Sequence, residues 1–232
     1  ANTLGSASED NGGAGYLPLE AFSSVGITFD ACVFEFDFIP IGTEISLNYV
    51  FGSEEYPEYV GSQYNDVFAI IIEGGPEYPD SIPVTDRNLA LIPKSGGVAV
   101  NVAINHLNMG SYNEFYIDNT GAEDVQYDGL TTILPAYAAV TPCETYHLTI
   151  AIADVSDAVW DSGIFLEENS FQSNVPDLNV SLSNASENEI GENCGEITLD
   201  FSSTSTTDQE IPVVTSTDGS LSTFQVFLEG TA

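Results

Sequence analysis

The sequence predicts an all-β protein: an antiparallel, jelly-roll-like β-sandwich followed by a partial immunoglobulin-like β-module. Three observations carry this expectation. Apolar residues recur with a period of two in short runs, and clusters of Gly, Pro, Asn and Asp separate the runs. No window of about eleven residues shows a 3.6-residue apolar stripe built from helix formers. The chain is 43% hydrophobic and 11% aromatic over 232 residues, enough to bury a core and unlike a disordered acidic tail.

The strands follow in order. "FDACVFEFDFIP" puts Phe34, Phe36 and Phe38 on an inward face with Cys32, turns Val33, Glu35 and Asp37 outward, and stops at Pro40. "TEISLNYVF" aligns Ile45, Leu47, Tyr49 and Phe51 on one face, while "DVFAIII" is apolar on both, as a strand covered from both sides would be. "GGVAVNVAI", "NEFYID", "TYHLTIAIAD" and "SGIFLE" complete the first unit. Near Asn174–Pro176 the composition changes to a Ser/Thr-rich, aromatic-poor segment, so the chain divides into residues 1–173 and 174–232. In the second part "LNVSLS", "EITLDFS" and "STFQVFLEG" have the spacing of an immunoglobulin-like module. The segment is shorter than the ~100 residues of a complete sandwich of that type. It is expected to be completed elsewhere, with open edges that a strand from another chain could fill.

Charge is the anomaly. Thirty-six Asp and Glu face two bases, for a net charge of −34, although total charged content is only 16% against the usual roughly 25%. With Arg87 and Lys94 as the sole bases, nearly every carboxylate must be solvated, hydrogen-bonded by backbone N–H, or bound to a cation. Such a surface excludes nucleic acid and anionic membranes as partners. No apolar run reaches the ~18 residues of a membrane span, and the first residues show no basic or apolar leader, which suggests an internal piece of a longer secreted chain. Cys32, Cys143 and Cys194 lack C-x-x-C spacing, which argues against zinc. They leave open a Cys32–Cys143 disulfide or two buried free thiols.

Several motifs in register carry a family resemblance: "FEFDFIP", "YVFGSEEYPEYVGSQYNDVFAIIIEG", "NVAINHLN", "YDGLTTIL" and "PCETYHLTIAIADVSDAVWDSGIFLEENSF". Residues 1–173 resemble the choice-of-anchor L domain of secreted bacterial surface proteins and adhesins, notably of Bacteroidetes. The following segment is similar to immunoglobulin-like or Calx-β-like repeats. The resemblance implies a module of a large exported protein, extracellular and cell-surface associated, with sequence preceding this start. It implies no catalytic activity and no settled ligand. Cys32 departs from the family's plain apolar residue.

Two acidic clusters hold the candidate site. The first, in "SEEYPEYVGSQYND", contains Glu54, Glu55, Glu58, Asn65 and Asp66. The second, in "ADVSDAVWDSGIFLEEN", contains Asp154, Asp157, Asp161, Glu167, Glu168 and Asn169. Carboxylates two to four residues apart in loops suit Ca²⁺, which takes six to eight oxygens, but the spacing is not that of an EF-hand. The expected metal ligands are Glu54, Glu55, Asn65, Asp66, Asp154, Asp157, Asp161 and Glu167. The same acids could equally be solvated or accept backbone N–H at strand ends. Tyr56, Tyr59, Tyr64 and Trp160 lie within these clusters, where rings beside carboxylates suit a sugar or protein ligand, or else cap the core edge.

Enzyme readings find little. His106 and His147 are the only histidines, His147 reads as a hydrogen-bonded mid-strand residue, and no G-x-S-x-G, H-E-x-x-H or Cys-His arrangement is present. A carboxylate pair could serve a glycosidase, yet among 36 acids proximity of some pair means little. The sequence therefore suggests a non-enzymatic adhesin module that binds a surface glycan or protein through Ca²⁺-organised loops. The alternative is a stalk or filament subunit that assembles with neighbouring copies of itself by strand complementation.

Overall fold

The computed structural model describes residues 7–121 and 125–174 in full. It describes by backbone alone the strands at 178–182, 197–201, 209–217 and 220–228. In the fully described part, one helical turn α1 (Leu17–Glu20) precedes β1 (Thr28–Phe38), β2 (Glu44–Ser53), β3 (Val67–Gly74), β4 (Tyr116–Asp118), β5 (Gly129–Thr131), β6 (Leu134–Ala139), β7 (Tyr146–Val155), β8 (Ser162–Leu166) and β9 (Gln172–Ser173).

All strand pairings among the described residues are antiparallel. One sheet has the order β1-β7-β3. The other is organised around β2. On one edge β2 pairs in series with β6 (Glu44↔Ala139 to Tyr49↔Leu134) and β5 (Ser53↔Gly129). On its other edge it pairs with β9 (Ile45↔Ser173) and β8 (Tyr49↔Leu166 to Ser53↔Ser162). The sheets pack face to face, as the alternation in β2 and β3 requires. Ile45, Leu47, Tyr49 and Phe51 from β2 meet Phe68, Ile70 and Ile72 from β3, Leu148 and Ile150 from β7, and Leu134 and Ala136 from β6. The opposite face of the first sheet is covered as well. Val67, Ala69, Ile71, Ala151, Ala153 and Val155 pack with Leu19 of α1, which accounts for a β3 apolar on both sides.

Two expectations need correction, and the alternative left open for Cys32 and Cys143 is decided. Cys32 is exposed rather than on a core face, because β1 is the edge of its sheet and the paired sheet does not reach over its middle. No bond joins Cys32 to Cys143: Cys32 pairs with Ile152, whereas the Cys143 N–H donates to the carbonyl of Pro40 at the far end of β1. Eight residues of extended chain span roughly 26 Å, against about 7 Å at most between bridged Cα atoms. "GGVAVNVAI" is not a regular strand. Gly96 and Gly97 take positive φ (74° and 85°) at a tight turn, and only two backbone bonds, Ile92 to Val100 and Val102 to Ala90, tie the returning arm. The Asn88 side chain replaces a ladder partner by accepting the N–H groups of Ile70 and Ala90.

Beyond residue 174, β10 (Leu178–Leu182) pairs with β11 (Ile197–Phe201), and β12 (Gln209–Thr217) with β13 (Ser220–Leu228). Three of these four strands carry a strand pattern in the sequence as read above, and β12 is the addition. The immunoglobulin-like or Calx-β-like packing expected of this module, its open edges and Cys194 lie outside the described residues.

Candidate functional site

Residues 54–66, between β2 and β3, and residues 156–161, between β7 and β8, meet at one end of the sandwich. The Glu54 N–H donates to the Asp161 carbonyl at 3.0 Å, joining the two loops by their backbones. Side chains of Asn65 and Asn105 pin the longer loop. The Asn105 N–H donates to Asn65 Oδ1 at 2.9 Å, the Asn105 amide donates to the Ser62 carbonyl at 2.9 Å, and Gly61 N–H donates to Asn105 Oδ1.

The paired loops carry an aromatic cluster. The Tyr59 ring lies edge-on to Trp160 at 4.8 Å between centroids and to Tyr64 at 5.6 Å. These rings, with Glu55, Asp157 and Val159, line a cleft of about 160 Å³. The short loop is bent to present them, since Ser156 and Trp160 have φ of 79° and 72°. A left-handed backbone at a bulky residue costs on the order of 1–2 kcal/mol, and strain of this kind gathers at functional positions.

Beneath the cleft is a buried carboxylate network. Asp66 accepts the Val155 N–H at 3.1 Å, and its other oxygen lies 2.7 Å from the Ser162 hydroxyl, which is 2.8 Å from the Ser53 hydroxyl. The Asp66 N–H in turn donates to Glu55 Oε2 at 3.1 Å, and the Glu55 N–H to Ser53. Four strand ends (β2, β3, β7 and β8) are thus tied at one point. Asp161 accepts the Glu9 N–H with both oxygens at 3.2 Å, and Asp30 accepts those of Asn11 and Gly13. Glu54 differs: it is 0% exposed, and neither carboxylate oxygen makes a well-formed hydrogen bond. The Gln126 amide and the Ala7 N–H favour its charge only weakly against burial.

No base relieves these acids. Arg87 pairs with Glu73, and Lys94 sits 5.8 Å over the Phe115 ring. Burial, reinforced by Asp128, pushes Glu54 up to about 7. Burial likewise raises Glu55 and Asp154 to about 7, with neighbouring acids adding to it. Asp66 is held well above the usual carboxylate range by burial and by Glu55, and Asp161 is raised by burial.

The expected site residues separate on this frame. Tyr59, Tyr64 and Trp160 come together, but Tyr56 is removed from any ligand surface. It is 0% exposed, its hydroxyl donates to the Leu107 carbonyl, and Gly129 leaves room for its ring, where a Cβ would stand 2.5 Å away. Glu54, Glu55, Asp66, Asp154, Asp157 and Asp161 share the loop end, although Asp66 and the Asn65 side chain are engaged in backbone contacts. Glu167 lies at the opposite end of β8, where it accepts from the Asn48 amide at 2.7 Å. Among the described residues, no three His, Cys, Asp or Glu side chains are grouped to hold a metal ion. Asp128 and Gln126, which face Glu54, were missed because nothing in the local sequence separates them from other loop residues. His147 is hydrogen-bonded, with Nδ1 2.8 Å from Asp37.

A two-sheet antiparallel sandwich with loops gathered at one end defines a β-sandwich module. The chain belongs to the choice-of-anchor L domain family, whose model matches residues 2–172. It is a cell-surface protein module, in a family of non-catalytic surface modules and in a secreted or surface-associated setting. No helix among the described residues is long and apolar enough to cross a membrane. Comparison with curated proteins and with solved structures returns no match.

Proposed function

We propose that this chain is a non-enzymatic adhesion module that contacts a surface ligand, a glycan, through the Tyr59–Tyr64–Trp160 cleft. The cleft itself carries this reading: three rings from two loops far apart in sequence converge beside two carboxylates, with backbone strain at Trp160. Ring faces stack on the apolar side of a sugar, and Glu55 and Asp157 accept its hydroxyl protons. A volume near 160 Å³ suits one sugar residue or a single side chain rather than an enclosed substrate.

Ca²⁺ is the neutraliser in this proposal. Glu54, Glu55, Asp154, Asp157 and Asp161 supply hard oxygens where no base is present, with backbone carbonyls and water completing the shell. The buried Glu54 carboxylate, whose oxygens make no well-formed hydrogen bond, supports this, and the dispersed placement of the other acids means that they would have to draw inward on binding.

A glycan array probed with the chain tests the reading. Specific retention should be lost in Tyr59→Ala and Trp160→Ala and kept in Tyr137→Ala, an exposed tyrosine on β6. Absence of retention on any glycan, or retention indifferent to the cleft variants, would refute it.

A further inference from the structure

Among the described residues, the β1 strand is unfinished on one side. Its one neighbouring strand is β7, and on the opposite edge residues 28–31 are met by the chain near Gly13–Ala14, which accepts the N–H groups of Asp30 and Ala31. From Cys32 to Phe38 that outer edge has no backbone partner among the described residues. Below this edge the two sheets part. Phe34, Phe36, Leu47, Ile150, Leu166 and Phe171 line an apolar groove of about 330 Å³, in which Phe34 remains 56% exposed. Edges of this kind are normally blunted by charged side chains, Pro or a bulge; in β1 the bulge is confined to Phe29–Cys32 and no Pro lies within residues 32–38, so Glu35 and Asp37 are the charges that an added strand has to meet.

We propose that this edge is a strand-acceptor site, filled by an extended segment of a partner protein that is apolar at alternate positions and basic at its ends. Unpaired N–H and C=O groups along one edge are satisfied by another strand, not by a helix or a small apolar molecule. Side chains at alternate positions of that strand drop into the groove while its backbone extends the sheet. Charge selects the partner. Glu35 and Asp37 stand on β1, Glu167 and Glu168 follow Leu166 across the groove, and of the bases only His147 contacts Glu35 and Asp37, Arg87 being paired with Glu73. A second copy of this chain would bring its own net charge of −34 to that rim, whereas flanking Lys or Arg would complement it.

The test is selection of short random peptides on the immobilised chain, with the Phe34→Lys variant as counter-selection. Enriched peptides should alternate apolar and polar residues and carry Lys or Arg at the ends. Phe34→Lys should weaken them by roughly tenfold or more, as for removal of a central anchor. N-methylation of alternate peptide amides should abolish binding, and amide exchange at residues 32–38 should slow in the complex. Should Phe34→Lys lower the thermal midpoint, Glu35→Lys combined with Asp37→Lys supplies the second variant and should remove the preference for basic ends. Peptides without alternation, N-methylated peptides that bind equally well, or no enrichment would overturn the proposal. Sedimentation showing self-association lost in Phe34→Lys would overturn the choice of partner. Variants at Tyr59 and Trp160 leave this groove intact, so failure here is separable from failure of the cleft.

Discussion

Without divalent cations, the fold should lose stability as the pH rises from about 5 to about 8. Folded, Glu54 and Glu55 keep their protons to about 7 against an ordinary 4.5, and Asp154 to about 7 against 3.8. Between those values the folded state binds more protons than the unfolded one. Stability is therefore fullest below the unfolded values, falls as pH climbs toward 7, and levels off above. For Glu55 alone the difference, at about 1.4 kcal/mol per pH unit, is on the order of 3 kcal/mol. Glu54 and Asp154 act in the same sense but less than additively, because the sites interact and water screens the more open ones. A loss near 3 kcal/mol lowers the midpoint of a domain this size by roughly 10 °C. Thermal unfolding in chelator at fixed ionic strength measures it, and Glu55→Gln should flatten the slope. Added Ca²⁺ should restore stability at the higher pH, by about 2.7 kcal/mol at a hundredfold excess over Kd, and do little at the lower pH, where protons hold the site. Stability that rises with pH in chelator, or a slope unchanged in Glu55→Gln, would refute the buried-acid argument. An equal response to Mg²⁺ would reduce the ion to general screening.

Three further outcomes follow from particular contacts. Asp66→Ala should cost about 2–4 kcal/mol, since it leaves the buried Val155 N–H and Ser162 hydroxyl without their acceptor, and denaturant unfolding reads it. Tyr56→Phe should cost about 1 kcal/mol through loss of the bond to Leu107 and leave ligand retention unchanged, which separates this core tyrosine from the cleft. Cys32 should react with a thiol reagent in the native state without unfolding, and Cys32→Ser should remove that fast phase.

The sandwich was legible where both sides of a strand announced themselves. Ile45 to Phe51 alternate because one face of β2 is core, and the continuous apolar run of β3 reflects α1 on one side and β2 on the other. The alternation of β1 was right about direction and wrong about depth. Phe34, Phe36 and Phe38 do face inward, but period states which residues share a face, not whether a neighbour covers it. The β6 strand, interrupted by Pro135 and rich in alanine, gave no such pattern, yet Ala136 and Ala138 pack into the core because β2 passes close by. At the site, clustering of rings and acids marked two loops that the fold brings together. It could not part Tyr56 from Tyr59, because the turn that sends one inward and the other outward is set by Ser53, Asn65 and Asn105.

The acids of these loops divide by function along the same line. Those satisfied by backbone, Asp66 above all, are joints: they replace a continuous ladder where β2, β3, β7 and β8 end together. Glu54, favoured only weakly by Gln126 and Ala7, and Asp154 are instead raised by burial to about 7, so the fold does little to support their charge. Glu55 belongs to both sets, for it accepts the Asp66 N–H and also lines the aromatic cleft. Whatever neutralises the buried acids, proton or cation, therefore acts through one side chain that also lines the cleft proposed to meet a ligand. Ligand retention should accordingly vary with pH over the window in which Glu55 titrates, near 7, and Glu55→Gln should remove that variation while leaving Tyr59 and Trp160 in place. Retention that varies identically in wild type and Glu55→Gln would disconnect the cleft from the acids beneath it.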